Sequence, residues 1–439
     1  MNRKKIHQQI FKSTSIALAA CIPFSQRIGT FILIIMAVNW ITEGNLTHKI
    51  KTAYRQAFVI LCSLFYLLEI AGLFYTHHFS NGFYHAQTEA SFFVIPLLFF
   101  SCGKIDKKLT NNILGAFCLT VFLTSLYCVI TGIIHYTQSG DISSLFFKDL
   151  VSPIHQHPVY FSVYTLICMV YLFFSINGSA SVKKIFLLLA ALIYFSLLLF
   201  LLRSKMVVAI TFIYAVYQLT LILVYRKGLS RFTALYPLWL ISMILIILFT
   251  SNPFSKQVNL LYVTDWSKIH ETRFNSDDRF GDIGIRLTLG KFGIHILNES
   301  RAWIFGVSPG DAQNDVNLKI ISSGMFTGYP GTDDHGFINY NLHDQYLQTL
   351  LNSGIVGLIL LLGILLVVYK KSYENKDPVL FFTLFAFTSF FLTESVLERQ
   401  MGIVPFFFFV SILILQGSPS AEKHQDKKEN HEQILENIC

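Results

Sequence analysis

Charge is scarce in this sequence. Only 14% of its 439 residues are Asp, Glu, Lys or Arg, whereas a soluble domain of this size carries about a quarter. That shortage excludes an ordinary water-soluble globule. Also lacking are an internal repeat, a low-complexity core segment, a Gly-rich nucleotide loop, an Asp-x-Asp pair in an outer loop and a nucleophilic Ser elbow. Nucleotide-sugar chemistry and serine hydrolysis therefore have no visible motif. Cysteine is present seven times, but Cys62, Cys102, Cys118, Cys128 and Cys168 lie in or beside apolar runs, where thiols behave as small apolar residues and not as a disulfide framework. The net charge of +8 is not a nucleic-acid patch, because the basic residues fall between apolar runs, where they set topology. No nucleic acid partner is expected.

What is abundant is apolar: 53% hydrophobic residues, including 42 Phe. Runs near the length that a bilayer core demands predict an all-α, polytopic membrane protein with about twelve spans. They fall near 13–25, 28–43, 56–75, 87–102, 112–135, 157–176, 185–201, 206–225, 233–250, 354–369, 379–395 and 402–416. With the N-terminus inside, the inner loops carry Lys49/Lys51/Arg55, Lys104/Lys107/Lys108, Lys183/Lys184, Arg226/Lys227/Arg231 and Lys370/Lys371/Lys376. The short outer loops hold only Arg27, Lys148, Arg203, Lys205 and Arg399. This asymmetry satisfies the positive-inside rule at every short loop. Leu18-Ala19-Ala20-Cys21 resembles a lipoprotein cleavage box, but Lys12 interrupts the would-be signal core, and a first transmembrane helix is expected.

The segment 251–341, between spans nine and ten, is too long for a connector and lies outside in this topology. Its mixed charge, Trp266, Trp303 and several glycines predict a folded cap. Ile285, Leu289, Phe292 and Ile296 recur at helical spacing. Phe305-Gly306-Val307-Ser308-Pro309-Gly310 reads as an apolar stretch ending in a turn. The chain then returns at Asn341-Leu342-His343-Asp344, with Asn341 as the expected helix cap, Asp344 in the first turn and a kink at Gly354. Residues 342–416 form the re-entering helix and the last three spans, and 417–439 a polar inner tail, expected to be disordered.

Three residues stand out by position on the outer face: Arg203 at the end of span seven, Arg286 at the start of the loop helix, and His343 where the chain re-enters. Guanidinium groups bind phosphate as a planar fork, and an imidazole takes a proton near neutral pH. Each has a plainer reading: Arg203 as a headgroup anchor, Arg286 as a surface cation, His343 as an interfacial residue. Glu69 and Glu89 lie toward outer span ends, where ionisable groups face a cavity or a partner. His155-x-His157 and Asp333-Asp334-His335 are weak metal candidates.

The string His343-Asp344-Gln345-Tyr346-Leu347-Gln348, followed by Gly354-Ile355-Val356-Gly357-Leu358, resembles the O-antigen ligase and O-antigen polymerase superfamily of bacterial envelope glycosyltransferases. The Gly-rich turn at 305–310, Arg286 upstream of it and Arg203-Ser204 fit the same order of parts, from about 185 to 370. Asp344 stands where the family usually has Asn, and Ser308 where Gly is common. The resemblance implies a fold like the GT-C membrane glycosyltransferases, placed in a bacterial inner membrane with a periplasmic active face. It implies metal-independent, inverting glycosyl transfer without a cofactor, from an undecaprenyl-pyrophosphate-linked glycan to a hydroxyl of lipid A-core or another glycan. In that reading Arg203 and Arg286 hold the pyrophosphate, with Arg279, Asp344 and Glu69 as further substrate-binding candidates, and His343 acts on the acceptor hydroxyl. Ligase is the first reading and polymerase the alternative, Arg279 to Gly290 and Arg273 to Gly284 each fitting a spacing found in polymerases. Protein O-glycosylation and polysaccharide transport rank below both.

Overall fold

The computed structural model describes residues 3–177, 181–225, 231–249, 266–278, 280–329 and 331–416. Among these the only β feature is an isolated bridge between Ile105 and Gln416; everything else regular is helical. Helices α1 (Arg3–Cys21), α2 (Gln26–Glu43), α3 (Leu46–Ala53), α4 (Ala57–Gly72), α5 (Phe79–Glu89), α6 (Ser91–Ser101) and α7 (Lys107–Ser139) come first. They are followed by α8 (Phe147–Val151), α9 (Pro158–Asn177), α10 (Val182–Leu202), α11 (Lys205–Tyr225) and α12 (Arg231–Phe249). The chain then builds α13 (Asp282–Ser300), α14 (Ala312–Ser322), α15 (Gln345–Asn375), α16 (Pro378–Phe391) and α17 (Gln400–Leu415).

Five of these helices are long and apolar enough to cross a membrane: α7, α9, α10, α11 and α15. A sixth is reached if α2 and α3, bent by 119°, count as one span. Shorter apolar helices include α4, α16 and α17. The chain is thus an all-helical membrane protein. The apolar run at 87–102 is not one helix: it divides at Ala90, where α5 ends on the polar pair Thr88-Glu89 and α6 begins. The run at 379–395 is helical only to Phe391, which leaves Thr393 and Glu394 in a loop.

The bundle is organised around α17, whose Phe406, Phe407, Phe408 and Phe409 are all fully buried. Phe407 meets Phe92 at 4.6 Å, Phe408 meets Phe99 at 5.5 Å and Phe409 meets Phe117 at 4.6 Å between ring centroids. Lipid tails are as apolar as these rings, so such helices associate through close packing and a few polar ties and not through expulsion of water. Helices α6 and α17 run parallel. Ser91 donates to Gln400 at one end, and the Ile105 amide donates to the Leu415 carbonyl at the other.

A second, separate core contains Leu289, Phe292 and Ile296 of α13, Val316 and Ile320 of α14, and Leu350 and Leu351 of α15. This fulfils the helical spacing read in the loop and makes the described part of 266–353 a packed cap. Residues 251–265, 279 and 417–439 lie outside the described residues, and with them Arg279, part of the long loop and the polar tail.

Candidate functional site

Helix α15 begins three residues later than the sequence pattern suggests. Asp344 is its cap, with a side-chain oxygen 2.8 Å from the Leu347 amide. Burial raises the pKa of Asp344, and the amides of Leu347 and Tyr346 offset only part of that rise. Asn341 does not cap the helix; it closes a tight turn by accepting the His343 amide at 3.0 Å. His343 itself sits in the left-handed region at φ 50°, ahead of the helix and not on its first turn. A non-glycine residue there is uncommon, and the asparagine turn holds it in place.

The imidazole is held from the far side of the chain. His343 Nδ1 lies 3.2 Å from Glu394 Oε1. The Tyr340 ring packs edge-on at 5.5 Å. Burial alone would raise the Glu394 pKa, but the His343 hydrogen bond and the fields of His343, His157 and Arg286 bring it below the ordinary carboxylate value. The neighbouring Thr393 carbonyl accepts Arg286 Nε at 3.2 Å, while Arg286 Nη1 donates to the Asp282 carbonyl at 3.0 Å. The short loop 392–399 therefore brings together two of the three residues singled out from sequence.

Arg203 stands apart from that pair. It ends α10 in the left-handed region at φ 50°, and its guanidinium lies 3.8 Å from the Phe146 ring centroid. Such a cation–π contact is worth about 0.5–2 kcal/mol. Its Nε is buried and has no hydrogen-bond partner among the described residues. Two residues on, Lys205 pairs with Asp282 at 2.5 Å, one turn from Arg286. Arg203 thus belongs to the same face as Arg286 through Lys205 and Asp282, without touching it. His157, half-buried with an unpartnered Nδ1, completes this face beside Glu394.

Glu69 lies elsewhere, behind the break in α15. Gly354 there has φ 65°, and a Cβ would fall 2.3 Å from the Ile304 carbonyl carbon. The cap segment 303–308 serves the interrupted backbone: the amides of Ile355 and Val356 donate to the carbonyls of Trp303 and Ile304, and those of Val307 and Ser308 to Leu351 and Asn352. A helix can be broken at membrane depth only where such partners exist. Glu69 accepts the Ser353 hydroxyl at this break. His85 lies 2.8 Å from Glu398 and 3.5 Å from Glu89, and Asn352 donates to Glu398 at 3.1 Å. Glu69 and Glu89 therefore join a buried acid and imidazole network, separate from His343.

The Gly-rich turn is clasped to the segment that follows the C-terminal end of α4. Tyr75 donates to the Phe305 carbonyl at 2.7 Å. The Asp311 carboxylate accepts the amides of His77 and His78, the Thr76 hydroxyl at 3.1 Å and both imidazoles. Burial opposes ionisation, but these donors draw its pKa down to about 2. Asp333 and Asp334 are exposed, and among the described residues no group of three or more His, Cys, Asp or Glu side chains has metal-binding geometry.

Sequence reading missed Glu394, Glu398, His85 and the Asp311 clasp. For Glu394 the signal was an acid at the end of an apolar run, Phe390-Phe391-Leu392-Thr393-Glu394, where an ionised group needs a partner. No protein-family model matches the chain, and no curated protein matches it.

Proposed function

We propose that the chain is a membrane glycosyltransferase of the O-antigen ligase type, moving a glycan from undecaprenyl pyrophosphate to a sugar hydroxyl of lipid A-core or a similar acceptor. The observation that carries this reading is the convergence of His343, Glu394 and Arg286 on one loop at the edge of the bundle. In this reading the chain crosses a bacterial inner membrane twelve times, with residues 251–341 and the site on the periplasmic side. A polyprenyl carrier needs that setting, since its tail stays in lipid while its sugar meets an acceptor in water.

The chemistry follows from the geometry. With His343 Nδ1–H directed at Glu394, the Nε2 lone pair is free to take a proton. The acceptor oxygen attacks the anomeric carbon as its proton passes to Nε2. The bond from that carbon to the pyrophosphate oxygen breaks on the opposite face, which inverts the centre. Charge gathers on the departing pyrophosphate, and Arg286, with Arg203 on the same face, stabilises it. Glu394 stabilises the imidazolium that forms, as an orienting carboxylate does beside a general base.

The test is a gel of surface glycolipids from cells lacking the chain. Bare core indicates a ligase; core carrying one repeat unit indicates the polymerase of the same superfamily. An unchanged ladder removes both readings.

A further inference from the structure

At the end of the bundle opposite His343 there is a second site. Ser91 and Gln400 mark the His343 end of the parallel pair α6 and α17, and Ile105 and Leu415 mark the other. Around that other end the start of α1, the bend between α2 and α3, and the turn from α6 to α7 enclose a cavity of about 730 Å³. Five Lys or Arg side chains line it against two carboxylates, Glu43 and Asp106, an excess of three positive charges. Phe11, Trp40 and Leu98 supply apolar wall.

These cations are not all neutralised. Lys49 is fixed, bonded to the Trp40 carbonyl at 2.6 Å and to Glu43 at 2.7 Å. Lys12 reaches Asp106 only at 3.6 Å, with both side chains about half exposed, a pairing that contributes little. Lys104 has no hydrogen bond or ion pair among the described residues. A roomy cavity with apolar wall and surplus basic charge suits a phosphate monoester or diester attached to an apolar body. From this geometry we infer that the cavity binds a phosphate group, carried by an anionic membrane lipid or free in solution. The inference stands independently of the glycosyl-transfer reading.

The test uses the full chain purified in detergent and four probes: dioleoyl phosphatidylglycerol, dioleoyl phosphatidylcholine, inorganic phosphate, and chloride at matched ionic strength. Binding is read as lipid retained in native mass spectra and as a shift in thermal unfolding. Retention of phosphatidylglycerol over phosphatidylcholine identifies a lipid source, and stabilisation by inorganic phosphate over chloride a soluble one; either supports the site. The double change Lys12→Gln with Lys104→Gln is expected to weaken binding roughly tenfold or more. Asp106→Asn is expected to strengthen it while still capping α7, where Asp106 accepts the Leu109 amide at 2.6 Å. Lys370→Gln with Lys371→Gln, outside the cavity, is expected to change nothing. No preference for either phosphate probe in the unmodified chain overturns the inference. So does an equal loss from the two lysine pairs.

Discussion

His343 and Glu394 are 51 positions apart in the chain and 3.2 Å apart in the fold. In the proposed mechanism the contact sets which imidazole nitrogen carries the proton, and so which nitrogen meets an acceptor. Glu394→Gln removes the charge and can turn an N–H toward Nδ1, which would place the proton on Nε2 and block it as a base. Transfer is expected to fall by about a hundredfold or more. The loss should appear in kcat, with KM for the polyprenyl donor little changed. A loss confined to KM would assign Glu394 to donor binding instead.

Arg286 joins α13 to the 392–399 loop through the Thr393 carbonyl, while its Nη1 donates to the Asp282 carbonyl of its own helix. Arg286→Ala is expected to weaken donor use strongly, and Arg286→Lys to recover only part, because an ammonium cannot reproduce the fork. Steady-state kinetics with varied donor measure both. Full activity of Arg286→Ala would remove the guanidinium from the site.

Gly354 carries the break that lets the cap reach the helix. A side chain there meets the Ile304 backbone, and the φ of 65° is itself unfavourable for any other residue. Gly354→Ala is expected to cost roughly 1–3 kcal/mol from backbone strain, with added cost from the overlap. Thermal unfolding in detergent tests this; a variant as stable as the unmodified chain would mean that the break does not depend on glycine.

Much of this arrangement was legible in sequence because helix boundaries are local. Arg286 was found by the 3.6-residue recurrence of Ile285, Leu289, Phe292 and Ile296, and the Gly354 kink by glycine in an apolar helix. His343 was expected on the first helical turn, but the cap proved to be Asp344, three residues beyond Asn341, which leaves His343 ahead of the helix. The pairing with Glu394 was not legible, since apolar periodicity says nothing of which loop faces which. The run at 379–395 also hid the helix end at Phe391, because Leu392 continues the apolar pattern while the backbone turns away. Glu69 was read as facing a cavity or a partner; its partner is the Ser353 hydroxyl and not an Arg, and it lies across a break whose far side is set by tertiary contacts.

The Asp311 clasp gives a pH prediction. Its pKa is depressed to about 2 in the folded chain, against about 3.9 in an unfolded one. A depressed carboxylate stabilises fully above the unfolded value and loses that stabilisation as pH falls through the folded value. The difference in melting temperature between the unmodified chain and Asp311→Asn should be constant above about pH 4 and shrink toward pH 2. A difference that does not vary with pH would show that the carboxylate charge contributes nothing to the clasp.

The most direct measurement is complementation by His343→Ala in cells lacking the chain. The expected result is a variant present in the membrane at the unmodified level, with glycan still on its polyprenyl carrier and bare core at the surface, transfer falling about 10²–10⁴-fold. Restoration of a full surface glycan ladder by that variant would contradict the assignment of His343 as the residue that takes the acceptor proton.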